Sequence, residues 1–191
     1  KIPGPGNYFM GFLDDRKESR QQFKSILRDN GMPYEVISPD ELDCTDQKNR
    51  FLLGAGDPIF KSEFVGKYNI SYEQIHDFRI DVDFAEVALI KSGIYFECKI
   101  SGLSKIGVGN FVDSHSIIGH ECIIGDFNHI GVNVIIGGNS TIGNRNNIHS
   151  GAIIGNNITI GDDCVIGSGS IVLRDLPSGS KLVAPKSIKI S

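Results

Sequence analysis

Ile117-Ile118-Gly119-His120-Glu121-Cys122-Ile123-Ile124-Gly125-Asp126-Phe127-Asn128-His129-Ile130-Gly131 repeats an aliphatic–glycine pair every six residues. Stepping outward by six from Ile118 reaches Val112, Ile106, Ile100 and Ile94 on one side. On the other it reaches Ile124, Ile130, Ile136, Ile142, Ile148, Ile154, Ile160, Ile166 and Val172. All fourteen positions between 94 and 172 are Ile or Val, and the phase never slips. Four residues after each aliphatic stands a small or modest side chain at most steps, among them Cys98, Ser104, Asn110, Ser116, Cys122, Asn128, Ser140, Asn146, Ala152, Cys164 and Ser170. A period of six fits neither the helical 3.6 nor simple alternation. It fits a short strand followed by a tight turn, three to a coil, with coils stacked so that strands pair at about 4.8 Å. Such hexapeptide repeats build a parallel β-helix. The aliphatic fills the interior, the small residue fits beside a corner, and glycine tolerates the crowding there.

Composition divides the chain. Of 42 charged residues, 22 lie before residue 76, whereas 16 of the 23 glycines lie after it. We therefore expect a small α/β domain over residues 1–75 and the left-handed β-helix over 76–191. In the first, Tyr8–Leu13, Tyr34–Ile37 and Phe51–Leu53 have strand character, and Lys17–Asn30 has helical spacing ending at Gly31. Asp57-Pro58 suits a second helix start. A net charge of −4 argues against nucleic acid as a partner. No apolar run is long enough to span a membrane. Four cysteines in 191 residues are too few for a disulfide scaffold, which with the absence of a leader pattern leads us to expect a cytoplasmic protein.

A β-helix is a scaffold, so chemistry has to come from residues that break the repeat. His120 and Glu121 fall on a turn, where side chains point outward, and His129 follows half a coil later. A neutral imidazole there can take the proton of an amine or hydroxyl attacking a thioester, and a neighbouring carboxylate strengthens that base and fixes its tautomer. His129 can donate a hydrogen bond to the thioester carbonyl or its developing oxyanion. From spacing alone, the alternative is that these are solvated corner residues.

The hexapeptide run, the His120–His129 stretch and Phe12-Leu13-Asp14-Asp15 together resemble the bacterial hexapeptide-repeat sugar acyltransferases. Within them the chain is most similar to the nucleotide-amino-sugar N-acetyltransferases and sialic acid O-acetyltransferases, the PglD/NeuD-like group. The resemblance implies a homotrimer with active sites between neighbouring β-helices, acetyl-CoA as co-substrate and no metal. It implies a truncated Rossmann-like domain that binds a nucleotide-linked amino sugar. It makes His120 the general base, Glu121 the residue that raises its basicity and His129 a contact of the acetyl-CoA thioester. Gly138, Ser150 and Ser168 would line the pantetheine path, and Asp14, Asp15 and Gly56 would contact the nucleotide sugar. The sequence departs from the family in two places. Gly4-Pro5-Gly6 does not reproduce its opening glycine-rich turn, and Leu182-Val183-Ala184-Pro185 stands where the family has Gly-x-Pro-Ala.

Three other readings share the scaffold. The first is sugar O-acetylation. The second is a γ-carbonic-anhydrase-like zinc enzyme, because His115 and His120 have the ligand spacing of that class and Glu97 lies one coil below His115. The third is a non-catalytic trimeric scaffold. No cysteine stands at an exposed, activated position, so a covalent thiol route has little support.

Overall fold

The computed structural model describes residues 11–13, 17–29, 35–41, 43–46, 51, 57–75, 78–79, 83–84, 93–94 and 98–184. By its contacts the chain forms two compact units, Lys1–Asp46 and Gln47–Ser191. Contacts thus group residues 47–75, expected above in the α/β segment, with the coils.

In the first unit, strand β1 (Gly11–Leu13) pairs in parallel with β2 (Glu35–Ile37), Phe12 opposite Val36. Helix α1 (Lys17–Asp29) connects them. This is one βαβ crossover, the unit that parallel strands require. Gly31, expected to close the helix, lies outside the described residues.

The second unit opens with α2 (Pro58–Lys67), which starts where Asp57-Pro58 predicts. Asp57 caps it by accepting from Phe60 N–H at 2.9 Å. Two-residue strands then follow at six-residue intervals, from Lys99–Ile100 to Ile171–Val172. Each pairs in parallel with a strand one coil away, as His129 with Asn147 and Ile135 with Ile153. The strands form three sheets of four, six and seven strands, the faces of a triangular prism. Its winding is left-handed.

Inside lies a single column system. Ile118, Ile124, Ile130, Ile136, Ile142, Ile148, Ile154, Ile160 and Ile166 are all buried, and so are the small-slot residues Cys98, Cys122, Ala152 and Cys164. All four cysteines of the chain are buried free thiols. Most polar members of the slot are satisfied along the coil axis, whereas Asn146 Nδ2 and Ser170 Oγ are buried without a hydrogen-bond partner. Asn128 Nδ2 donates to Asn110 Oδ1 at 3.0 Å and to the Gly143 carbonyl at 2.9 Å. The Asn128 amide oxygen in turn accepts Asn146 N–H at 2.8 Å. Buried amides cost stability unless paired, and here the neighbouring coils supply most of the pairs. The glycines after the aliphatics let coils approach. A Cβ on Gly125 would stand 2.5 Å from Asn144 Oδ1 and 2.7 Å from the Gly143 carbonyl oxygen.

Outward-facing side chains name the three faces. One carries Ile117, Ile135, Ile153 and Ile171, which pair in register and are 39%, 39%, 38% and 60% exposed. The second carries Lys105, Ile123, Thr141 and Thr159. The third carries Phe111, His129, Asn147 and Val165. We refer to these as the isoleucine, threonine and histidine faces.

Helix α2 is fastened to the coils by a buried lysine. Lys61 is 1% exposed, and its Nζ donates to the carbonyls of Gly109 at 2.9 Å and Asn128 at 3.2 Å. Burial lowers its pKa from 10.5 to about 8, against a smaller opposing pull from Asp57. A lysine whose folded pKa lies below its unfolded value costs stability in full below the folded pKa, and that cost is relieved as pH climbs toward the unfolded one. Stability should therefore rise between about pH 8 and 10.5, by about 3 kcal/mol at most. In Lys61→Met this increment should be missing, which denaturant melts of both proteins across that range will show.

Candidate active site

His120 and Glu121 occupy the edge between the isoleucine and threonine faces, in the turn from Ile117–Ile118 to Ile123–Ile124. Both point into solvent, with side chains 63% and 53% exposed. His120 Nδ1 lies 3.0 Å from Glu121 Oε2. A carboxylate at that distance favours a hydrogen on Nδ1 and leaves Nε2 as the basic nitrogen.

Local backbone makes this pair possible. Neighbouring residues in a strand point to opposite sides, but Glu121 has φ of 57°, in the left-handed region. The same edge places Leu103, Asn139 and Asn157 at φ of 65°, 58° and 59°. Asparagine adopts this region readily, whereas glutamate there costs roughly 1 kcal/mol or more. The edge needs the turn, but not a glutamate. Glu121→Gly should hold or raise the melting temperature while lowering turnover about tenfold or more, because the imidazole loses its partner. A calorimetric scan beside a turnover assay will check both signs.

Cys122, next in the chain, turns inward and is fully buried. Burial pushes its thiol pKa up, which disfavours it as a nucleophile despite its place beside His120.

The remaining expected residues divide among the edges. Gly138 lies one coil beyond His120 on the same edge, with the imidazole against it: a Cβ there would stand 2.6 Å from His120 Nε2. His129 lies on the histidine face, its ring stacked on Phe111 of the preceding coil at 5.1 Å between centroids and 9° between planes. Ser150 and Ser168 are exposed on the edge between the histidine and isoleucine faces, one coil apart. His149 and His115 are exposed on that edge too. Within one chain, then, His120 and Glu121 are brought to Gly138 but not to His129, Ser150 or Ser168. Asp14, Asp15 and Gly56 lie outside the described residues, as do His76 and Glu97.

His115 and His120 stand on different edges, and among the described residues no group of three His, Cys, Asp or Glu could hold a metal ion. Nor is any helix of the described residues long and apolar enough to cross a membrane. Arg145 does not face the candidate base. It stands on the threonine–histidine edge in a bidentate pair with Asp163 at 2.7 and 2.8 Å. The sequence reading missed Phe111 as the support of His129, and the eighteen-residue interval between the two was the available signal.

Residues 139–174 match the bacterial transferase hexapeptide family (six repeats). No curated protein matches the chain by sequence. Among solved structures, a histidine variant of perosamine N-acetyltransferase from Caulobacter crescentus, in complex with CoA and GDP-perosamine, superposes with a TM-score of 0.74. It is 18% identical over 97% of this chain and 99% of its own. PerB from the same organism, with CoA and GDP-perosamine bound, gives a TM-score of 0.70 at 17% identity, covering 94% of this chain and 95% of its own. The acetyltransferase domain of PglB from Neisseria gonorrhoeae, in complex with acetyl coenzyme A, gives 0.72 at 16% identity, covering 94% and 97%. These findings bear out the resemblance read from the sequence: the chain is a hexapeptide-repeat β-helix protein with the fold of these acetyltransferases.

Proposed function

We propose that this protein transfers the acetyl group of acetyl-CoA to the amino group of a nucleotide-linked amino sugar, in bacterial surface-polysaccharide or glycan biosynthesis. The observation that carries this reading is the solvent-facing His120–Glu121 pair, held at 3.0 Å on a corner the fold would supply more easily with asparagine or glycine. The solved structures of the same fold supply the reactants: CoA with GDP-perosamine in one, acetyl-CoA in another.

Transfer is direct. The sugar amine attacks the acetyl carbonyl while Nε2 of His120 takes its proton, and the carbonyl becomes a tetrahedral oxyanion. His129 donates a hydrogen bond to that oxygen. The carbon–sulfur bond then breaks, the amide forms, and the thiolate of CoA leaves with the proton returned by His120 as a free thiol. Glu121 holds the imidazole tautomer and stabilises the imidazolium between the two proton transfers. Ser150 and Ser168 line the path of the pantetheine arm. Asp14 and Asp15, directly after β1 in sequence, and Gly56 serve the nucleotide sugar, since ligands of parallel α/β units bind beyond the carboxyl ends of strands.

The assembly is a homotrimer on this reading. The isoleucine face is flanked by the two edges that carry the machinery, His120 with Gly138 on one and Ser150 with Ser168 on the other. His129 lies immediately before that second edge. Three copies packed by their isoleucine faces around an axis would bring the His120 edge of one against the serine edge of the next. Among the described residues of one chain, the His120 edge and the serine edge do not meet. Product analysis tests the acceptor. Mass spectrometry should find one acetyl group added to the sugar nucleotide, as an amide that survives mild alkaline hydroxylamine. An ester that hydroxylamine removes would place acylation on oxygen instead.

A further inference from the structure

Gly138 is a glycine that the β-helix does not require. Most of the glycines that directly follow the core aliphatics are crowded by the next coil itself. A Cβ on Gly119, Gly125, Gly137 or Gly143 would stand within 3.0 Å of the next coil's backbone or its Asn or Asp side chains. At Gly138 the three nearest atoms all belong to His120: Nε2 at 2.6 Å, and Cδ2 and Cε1 at 2.9 Å. Its φ is not among the positive ones that would call for glycine. The next residues in the same column are Asn156 and Arg174, so side chains are accommodated elsewhere along this edge. What the absent side chain makes room for is the imidazole.

The contacts define what this does. The backbone of His120 is pinned to the same coil, its carbonyl accepting Asn139 N–H at 2.8 Å. Glu121 holds one ring nitrogen, and Gly138 underlies the other. With anchor, partner and floor all fixed, the ring has one place to rest. The structure assigns Gly138 as a positioning residue: its bare Cα seats the His120 imidazole and keeps the space at Nε2 open for the acceptor amine. The catalytic consequence rests on the proposed role of His120, whereas the seating itself does not. Any side chain at 138 must either displace the ring or occupy that space, and a displacement on the order of 1 Å at a reacting group costs up to ~10²-fold in rate.

The test is a double-mutant cycle of Gly138→Ala and His120→Ala, read by thermal melts, by NMR titration of the His120 ring and by turnover. Gly138→Ala should lower the melting temperature in the wild-type background and leave it unchanged in the His120→Ala background, because the clash exists only with the ring present. It should shift the His120 ring resonances. It should reduce kcat about tenfold or more with less than about threefold change in KM for acetyl-CoA. Unchanged ring resonances, or an equal change in melting temperature in both backgrounds, would overturn the seating whatever happens to turnover. If instead His120→Ala retains wild-type turnover while the ring shifts as expected, the seat stands and the assignment of the base fails.

Discussion

His120→Ala should reduce turnover by about 10²–10⁴-fold while leaving secondary structure, assembly and melting temperature close to wild type. The size follows from what is removed on the proposed mechanism, the base that takes the amine proton as the thioester is attacked. The structural silence follows from where it stands. The side chain is 63% exposed and its one recorded polar partner, Glu121, is also at the surface. An exposed pair of this kind adds little to stability. Steady-state thiol release and a thermal melt on one preparation read both halves. A variant within a few-fold of wild type would remove His120 from the mechanism.

Ile135→Asp should abolish assembly and, with it, activity. Ile135 sits in the middle of the isoleucine column, between Ile117 and Ile153, with its neighbour Ile136 filling the core. Because Ile135 points outward, the coil does not need it. Each of three copies would have to bury an unpaired carboxylate at the axis, at several kcal/mol apiece, which a contact of this kind does not survive. Sedimentation should find trimers for wild type and monomers for the variant, with an unchanged circular dichroism spectrum. Turnover should fall by about 10²-fold or more, because His120 and the Ser150–Ser168 edge then have no partner. A monomer that keeps its activity would show that one chain holds a complete site.

The coils were legible because one column of Ile and Val from 94 to 172 carries both the core and the register. The exposure of His120 and Glu121 was legible for the same reason, since counting from Ile118 places them on a corner. What the count could not show was geometry set by neighbours in space. Nothing about Glu121 in the sequence says that its φ is 57° and that this turns it back to His120. Gly138 read as part of a cofactor path, and only the position of the ring above it reveals its relation to the base. Nothing in the sequence marks Lys61 as a buried residue. It is buried because two carbonyls from successive coils converge on its ammonium. The edges taught most. Spacing placed His120 and His129 half a coil apart, and the prism turns that interval into different sides of one chain. The same arrangement becomes an argument for a shared site once copies pack.

Free-thiol release from acetyl-CoA is the direct readout of the proposed acetyl transfer to a nucleotide-linked amino sugar. The assay uses a panel of UDP-, dTDP- and GDP-linked 4-amino sugars, with the matching 4-hydroxy sugars as controls. Rapid release is expected with at least one amino sugar, falling to background with its hydroxy counterpart and lost in His120→Ala. Release that is equally fast without any amino sugar, or absent across the whole panel from a preparation shown to be trimeric, would contradict it.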